Sequence, residues 1–283
     1  MSGLAYRWPV STLGKDETLQ SLTERAARFY GCAPERLWAA TNNDDASVGL
    51  PDDPTAPALA RLAHAVGMRP VDLLPSRIPD SSGWLTAARR HAYCPYCWKE
   101  DLQAGRPCSY RVHWARVLTV ACPVHRAPLL YWRLHQDDDK ADFVGQELSV
   151  CMMALDSLAK DDAYVGALDA INRFAVDLDG VLFHGKPRPK RWLASAPQIR
   201  RLMEQVLVDE EVRGAPWSMS IPQRWRGIVH LGRHAVVAPG DSVWEPLRYA
   251  HDPGIRRAAL WLSAARFDPG FPEAMRPHAN DIA

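Results

Sequence analysis

Two short motifs constrain this chain more than anything else in it. Cys94-Pro-Tyr-Cys97 is followed, after twenty-four residues, by Cys122-Pro-Val-His125. Two ligating side chains separated by two residues point inward from one tight knuckle, and two such knuckles complete a tetrahedron around Zn²⁺. Pro95 and Pro123 follow the first ligand of each pair and reduce the chain entropy lost on closing each turn. Four protein ligands leave no position for an activated water. The spacing therefore predicts a structural zinc held by Cys94, Cys97, Cys122 and His125, not a catalytic one. In zinc-finger peptides such binding supplies about 10–16 kcal/mol of folding free energy, which a small module with few large aliphatic residues needs. A redox pair fits poorly, because no strand–helix–strand pattern surrounds Cys94 and Cys97 and the second pair would go unexplained. Cys108, His113 and His135 are conceivable extra ligands for which a structural role is the simpler expectation. Cys32 and Cys151 read as small buried hydrophobes. The HxE and HExxH spacings of metallohydrolases are absent, so no catalysis is expected.

Composition bears on whether these thiols stay reduced. The chain has 283 residues, enough for one large domain or two modest ones, and 47% are hydrophobic, enough for a substantial core. The first residues contain no apolar run of signal-peptide length, and no stretch of about twenty apolar residues offers a membrane span. A soluble, cytoplasmic protein without a membrane partner is the expectation, and its cysteines favour metal over disulfides. The formal net charge is only +1, so whole-chain charge does not advertise nucleic acid.

Helical periodicity dominates the rest. Leu19, Leu22, Ala26 and Phe29 recur at three- and four-residue steps. Asp16 suits the N-cap, Glu17 the first turn and Gly31 the stop; Pro34 opens a short helix over "PERLWAAT". The pattern then returns. Aligning Gly31 with Gly67 places Arg25 on Arg61, Ala27 on Ala63, Pro34 on Pro70 and Leu37 on Leu73. A small alanine lets a second helix cross closely and the glycine permits a turn with positive φ. Both copies read as helix-turn-helix corners, a device shared by DNA readers and ordinary helical cores. Polar connectors, "TNNDDASVGLPDDPTAP" and "PSRIPDSSG", follow the two copies. The fold class is mainly α. A helix-turn-helix-like region spans 1–83, a zinc-knuckle module with a short strand pair near "RVHWARVLTV" spans 84–135, and a helical C-terminal domain spans 136–283. In that domain helices are predicted over 148–178, over "APQIRRLMEQVLVDEEV" with Ile199, Leu202, Met203, Val206 and Leu207 on one side, near "PQRWRGIVHL" and over "PGIRRAALWLSAARF", with Trp217, Trp225, Trp244 and Trp261 among them. The tail "HANDIA" reads as loose.

The residues around the ligands say more than their spacing. "HAYCPYCWKED", then "YRVHWARVLTVACPVHRAPLL", resembles the TniQ family, in which a CPxC pair precedes an aromatic–basic stretch with a tryptophan and then CPxH with two leucines. Trp114, Cys122, Pro123, His125, Leu129 and Leu130 carry this part. The opening "YRWPVSTLGKDETLQSLTERAARFYG" is similar to the family's through Pro9, Asp16, Glu17, Ser21, Leu22, Arg25 and Ala27. The resemblance covers about residues 6–132. It departs at "YWRLHQDDD", where many members carry further cysteines, and ends near residue 140. It implies a non-catalytic target-selection protein of a transposition system. Such a protein binds DNA or docks on an RNA-guided CRISPR effector complex, and it recruits an AAA+ ATPase regulator. A homodimer is a further expected assembly.

Local charge is uneven. The zinc module carries Arg89, Arg90, Lys99, Arg106, Arg111, Arg116, Arg126 and Arg133 against Glu100 and Asp101, and the turn after residue 185 adds Lys186, Arg188, Lys190 and Arg191 with no acid nearby in sequence. Such patches neutralise phosphates. Candidate nucleic-acid contacts are Lys186, Arg188, Lys190 and Arg191, with Arg61 and Arg69 flanking the second corner. Surface salt bridging is the alternative, and with it a zinc-stabilised protein–protein scaffold that never touches nucleic acid. Residues 137–179 are acidic and should face away from DNA or meet a basic protein surface.

Overall fold

The computed structural model describes residues 8, 13–14, 16–43, 49–131, 141–212 and 253–276. Helices dominate them: α1 Leu19–Phe29, α2 Pro34–Thr41, α3 Ala56–Val66, α4 Pro70–Leu73, α5 Pro95–Gln103, α6 Ala141–Leu158, α7 Asp162–Phe183, α8 Ala196–Val212 and α9 Pro253–Phe267. Two antiparallel pairs of two-residue strands complete the elements, β1 Gly49–Leu50 with β2 Asp53–Pro54 and β3 Ala92–Tyr93 with β4 Leu130–Tyr131. No helix among the described residues is long and apolar enough to cross a membrane. The helix expected near "PQRWRGIVHL", Trp217, Trp225, Trp244, Arg133, His135 and the tail lie outside the described residues.

The first two helix pairs are the repeat read from the glycines. Gly31 turns α1 into α2 with φ 60°, and Gly67 ends α3 in the left-handed conformation with φ 71°. Ala27 and Ala63, matched in the alignment, are both buried in one core with Leu19, Leu22, Leu37, Leu59, Leu62 and Leu73. The α1 cap differs from expectation. Thr18, not Asp16, accepts the Ser21 N–H, while Asp16 adopts φ 58° and its carbonyl receives the Val112 N–H. Glu17 does not stand free at the first turn. It is fully buried, accepts the Gly14 N–H and pairs with both ends of the Arg25 guanidinium.

The connector between the copies carries the β1–β2 hairpin, and its Asp52 is a core residue. Asp52 accepts the Gln20 N–H in the first turn of α1 at 2.6 Å and the Arg90 guanidinium at 2.8 Å, tying the repeat to the metal module. Thr18 and Ser21 add bonds to Tyr110 from the same helix start.

The strand pair of the module lies elsewhere than expected. Val112–Ala115 forms a 3₁₀ turn that buries Trp114 and Ala115. The pairing instead joins the segment before the first knuckle to the segment after the second, with Ala92 opposite Tyr131 and Tyr93 opposite Leu130. An aromatic core fills the space between, with Tyr93 stacked on Trp98 at 4.1 Å and Tyr110 and Trp114 buried beside them.

Beyond the module, α7, α8 and α9 pack on one another through Ile171, Phe174, Leu178, Ile199, Met203, Val206, Ala258 and Trp261. The same apolar cluster takes in Leu85, Val117, Leu118, Val120 and Ala121 from the module. Two fully buried arginines on α9 hold this junction. Arg256 Nη1 donates to the carbonyls of Arg116, Val117 and Thr119, and Arg257 Nη1 to those of Val120 and Leu129.

Candidate metal centre

Strand β3 delivers Cys94 to the N-cap of α5, with Pro95 at the first helical position, so Cys97 follows one turn later on the same helix face. The first ligand pair thus sits on a helix start. The second pair sits on a tight loop closed from both sides: Arg126 N–H donates to the Cys122 carbonyl and Cys122 N–H to that of Ala127, each at 2.8 Å. Arg126 accepts φ 53° to close it, at a cost of roughly 1–2 kcal/mol for a non-glycine residue.

These two pieces bring the four sequence-predicted ligands together. Their donor atoms lie within 4.8 Å of one another, and the three cysteines are buried while His125 is half-buried. Sγ of Cys97 and Cys122 are 3.7 Å apart, and His125 Nδ1 stands 3.6, 3.3 and 3.8 Å from Sγ of Cys94, Cys97 and Cys122. A tetrahedral ion with metal–S near 2.3 Å and metal–N near 2.0–2.1 Å keeps its sulfurs about 3.8 Å apart and sulfur from nitrogen about 3.5 Å. The arrangement can hold a metal ion with no ligand position left over.

The electrostatics point the same way. Hydrogen bonds from the Cys94 and Cys97 thiols push Cys122 down, while Cys97 is pushed up to about 12 by its contact with Cys122 and Cys94 is raised as well. Three sulfurs held this close are stabilised by a cation that takes up all three as thiolates. Burial lowers His125, but its hydrogen bonds to Cys122 and Glu100 outweigh that and leave it raised.

Neighbours missed in the sequence complete the site. Glu100 Oε1 lies 3.0 Å from His125 Nε2, and the Tyr96 ring stacks on the imidazole at 5.6 Å while its hydroxyl donates to Asp156 of α6. Glu100 follows Cys97 by three residues, a helical step that sequence could have flagged; Asp156 carries no such signal. Cys108 and His113 stay outside the group of four. Burial pushes the Cys108 thiol to about 12, and its Sγ faces the Trp98 carbonyl; His113 supplies a hydrogen bond that favours the Cys122 thiolate.

The candidate nucleic-acid contacts are divided between the α3–α4 corner and the turn from α7 to α8. Arg61 donates to the Asn42 side chain at 2.9 Å and Arg69 pairs with Asp72 at the surface. Arg188 donates to the carbonyls of Trp192 and Ala194. Arg191, with no acid near it in sequence, is paired by the fold with Asp177 and Asp268, which raise it further. Lys186 and Lys190 are exposed. The module's arginines are likewise engaged: Arg90 with Asp52, Arg106 and Arg111 with Asp101, Arg116 with Asp179, Arg126 with Asp169. The acidic α7 therefore does meet a basic protein surface, and that surface is the metal module of its own chain.

No curated protein and no solved structure matches the chain. The TniQ family model matches residues 10–129, a stretch that includes both helix–glycine–helix corners and all four ligands. The match falls within the stretch over which the motifs resemble that family, and residues 10–129 of this chain are similar to a TniQ domain.

Proposed function

We propose that this protein is a zinc-containing adaptor of a transposition system, one that binds DNA or a targeting complex and brings an AAA+ ATPase regulator to the chosen site. The observation that carries the reading is the TniQ match over residues 10–129, which enclose a closed Cys₃His cluster with no open metal position. Zinc suits three thiolates and one imidazole in tetrahedral array. Such a centre organises a recognition surface and performs no chemistry. The cations offered to DNA are Arg61 and Arg69 at the α3–α4 corner and Lys186, Arg188, Lys190 and Arg191 after α7. A CRISPR effector complex and a second copy of the chain stand as further partners.

Mobility shifts on transposon-end, attachment-site and random duplexes across a salt series test direct binding. Retarded complexes whose affinity falls with salt support it, each phosphate contact contributing about 0.9 to the logarithmic slope. No shift on any duplex at low salt removes the DNA-reading version, and the adaptor role then stands only if the protein captures the ATPase or a guide complex in a pull-down.

A second reading, a zinc-stabilised protein–protein scaffold with no nucleic-acid contact, is favoured by one observation. Four of the six candidate cations already serve bonds within the chain, and α4 at the second corner runs only from Pro70 to Leu73, short for a groove-reading helix. Arg69→Glu combined with Lys190→Glu separates the two. Unchanged duplex affinity selects the scaffold; a fall of tenfold or more selects the DNA contact.

A further inference from the structure

We infer that Glu100 is a positioning residue for the metal: it holds His125 in the tautomer that presents Nδ1 to the ion. The inference rests on the reading of the four-residue cluster as a zinc site, and goes beyond it by naming the atom that binds and the group that selects it.

The two nitrogens of His125 face opposite surroundings. Nδ1 lies among the sulfurs, 3.6 Å from Cys94, 3.3 Å from Cys97 and 3.8 Å from Cys122. Nε2 points away from them, with Glu100 Oε1 at 3.0 Å. A carboxylate only accepts, so the nitrogen facing it carries the proton. In neutral imidazole that leaves the lone pair on Nδ1, directed at the place where the three sulfurs converge. The opposite tautomer would set a lone pair against the carboxylate, a repulsive contact, and would aim an N–H where a bound ion needs a lone pair.

The plane of the ring is held as well as its protonation. Tyr96, between the two cysteines of the first knuckle, stacks on the imidazole with 28° between the planes, and its hydroxyl donates to Asp156 Oδ1 at 2.6 Å. Turning the ring over to offer Nε2 would break the contact with Glu100. Helix α5 thus supplies two ligands, Cys94 at its N-cap and Cys97 in its first turn, and one turn later the acceptor that orients the ligand of the other knuckle. A ligating histidine that donates its second N–H to a carboxylate is a more basic and better-directed ligand, and loss of such a partner weakens metal binding by about 10–100-fold. The Glu100 side chain is 59% exposed, so its contribution appears in metal affinity and not in the packing of the apolar core.

The test uses the full chain as wild type, Glu100→Gln and Glu100→Ala. Zinc affinity is read by competition with a chromophoric chelator, and the zinc-loaded wild type is labelled with ¹⁵N-histidine for NMR. The expected result is a metal-bound Nδ1 and a protonated Nε2 in the wild type, with affinity reduced about 10–100-fold in Glu100→Ala. Glu100→Gln should fall between the two, because its amide oxygen still accepts the N–H. Wild-type affinity in Glu100→Ala, or zinc on Nε2 in the spectrum, overturns the role of Glu100 while leaving the metal centre intact. Wild-type protein that takes up no stoichiometric zinc overturns the metal reading itself and the inference with it. If Glu100→Ala does not fold, the Gln variant and the wild-type spectrum decide the question.

Discussion

Burial pushes the Glu24 carboxyl from 4.5 to about 7, against the hydrogen bond from Gln20 and with Asp52 adding to the rise. The folded-state value lies above the unfolded one. Between about pH 4.5 and 7 the folded protein therefore keeps a proton that the unfolded chain has released, and stability falls as pH rises through that window. The full interval corresponds to about 3 kcal/mol at most, less to the extent that water reaches the partly exposed side chain. Glu24→Gln should abolish this dependence, raising stability at pH 8 by about 1–3 kcal/mol and flattening the profile between pH 5 and 7 in urea unfolding of the zinc-loaded protein. Asp52 is raised in the same direction but is paired with a cation. Burial pushes its carboxyl up, Arg90 pulls it down, and the buried pair joins the first helix to the metal module. Asp52→Ala strands the Arg90 guanidinium and should cost about 3–5 kcal/mol, measurable as a lowered urea midpoint with an unchanged slope. Neither role is legible in the sequence, where Asp52 sits in a polar connector and looks like solvent-facing loop.

At the scale of elements, what the sequence discloses follows from how local each signal is. The apolar spacing of Leu19, Leu22 and Ala26, the two glycine corners and the Cys-x-x-Cys and Cys-x-x-His steps are all encoded within a few residues, and each appears as read. The β3–β4 pair was misplaced because two-residue strands carry no periodicity and their partners are far apart in sequence. The α1 cap is Thr18 and not Asp16 because the helix begins at Leu19, and Asp16 lies before it at φ 58° with its backbone carbonyl on the Val112 N–H. Arg256 and Arg257 are the hardest case. The sequence shows only two adjacent charges in a predicted helix, yet they are fully buried, with their guanidinium groups on carbonyls of the segments that flank the module's second knuckle. Arg257→Ala removes this donor from the Leu129 carbonyl, while the Val120 carbonyl keeps the Leu129 N–H, and should destabilise the protein by about 1–3 kcal/mol. Hydrogen exchange should show the loss first in α9 and in residues 116–129, with α1 and α3 unchanged.

For the whole molecule, the second knuckle is the place where the parts meet. The metal ligands bind it from one side, Arg256 and Arg257 from another, and the ion pairs of Arg116 with Asp179 and of Arg126 with Asp169 hold α7 against it. Loss of the ion should therefore loosen α7 and α9 together with the module, while the repeat of α1–α4, which has its own core, stays protected. Hydrogen exchange with and without chelator checks this; uniform loss of protection across all helices would contradict it. The same cross-linking engages Arg90, Arg106, Arg111, Arg116 and Arg126 among the described residues of the module, and it directs the search for DNA contacts to the exposed Lys186 and Lys190 and to Arg69, whose pair with Asp72 lies at the surface. Everything here depends on one ion in a closed site, and metal analysis of the purified protein joined to thermal unfolding before and after strong chelation tests that most directly. One zinc per chain, with a large fall in melting temperature when it is stripped, is the expected result. Substoichiometric metal together with an unchanged transition after chelation would contradict it.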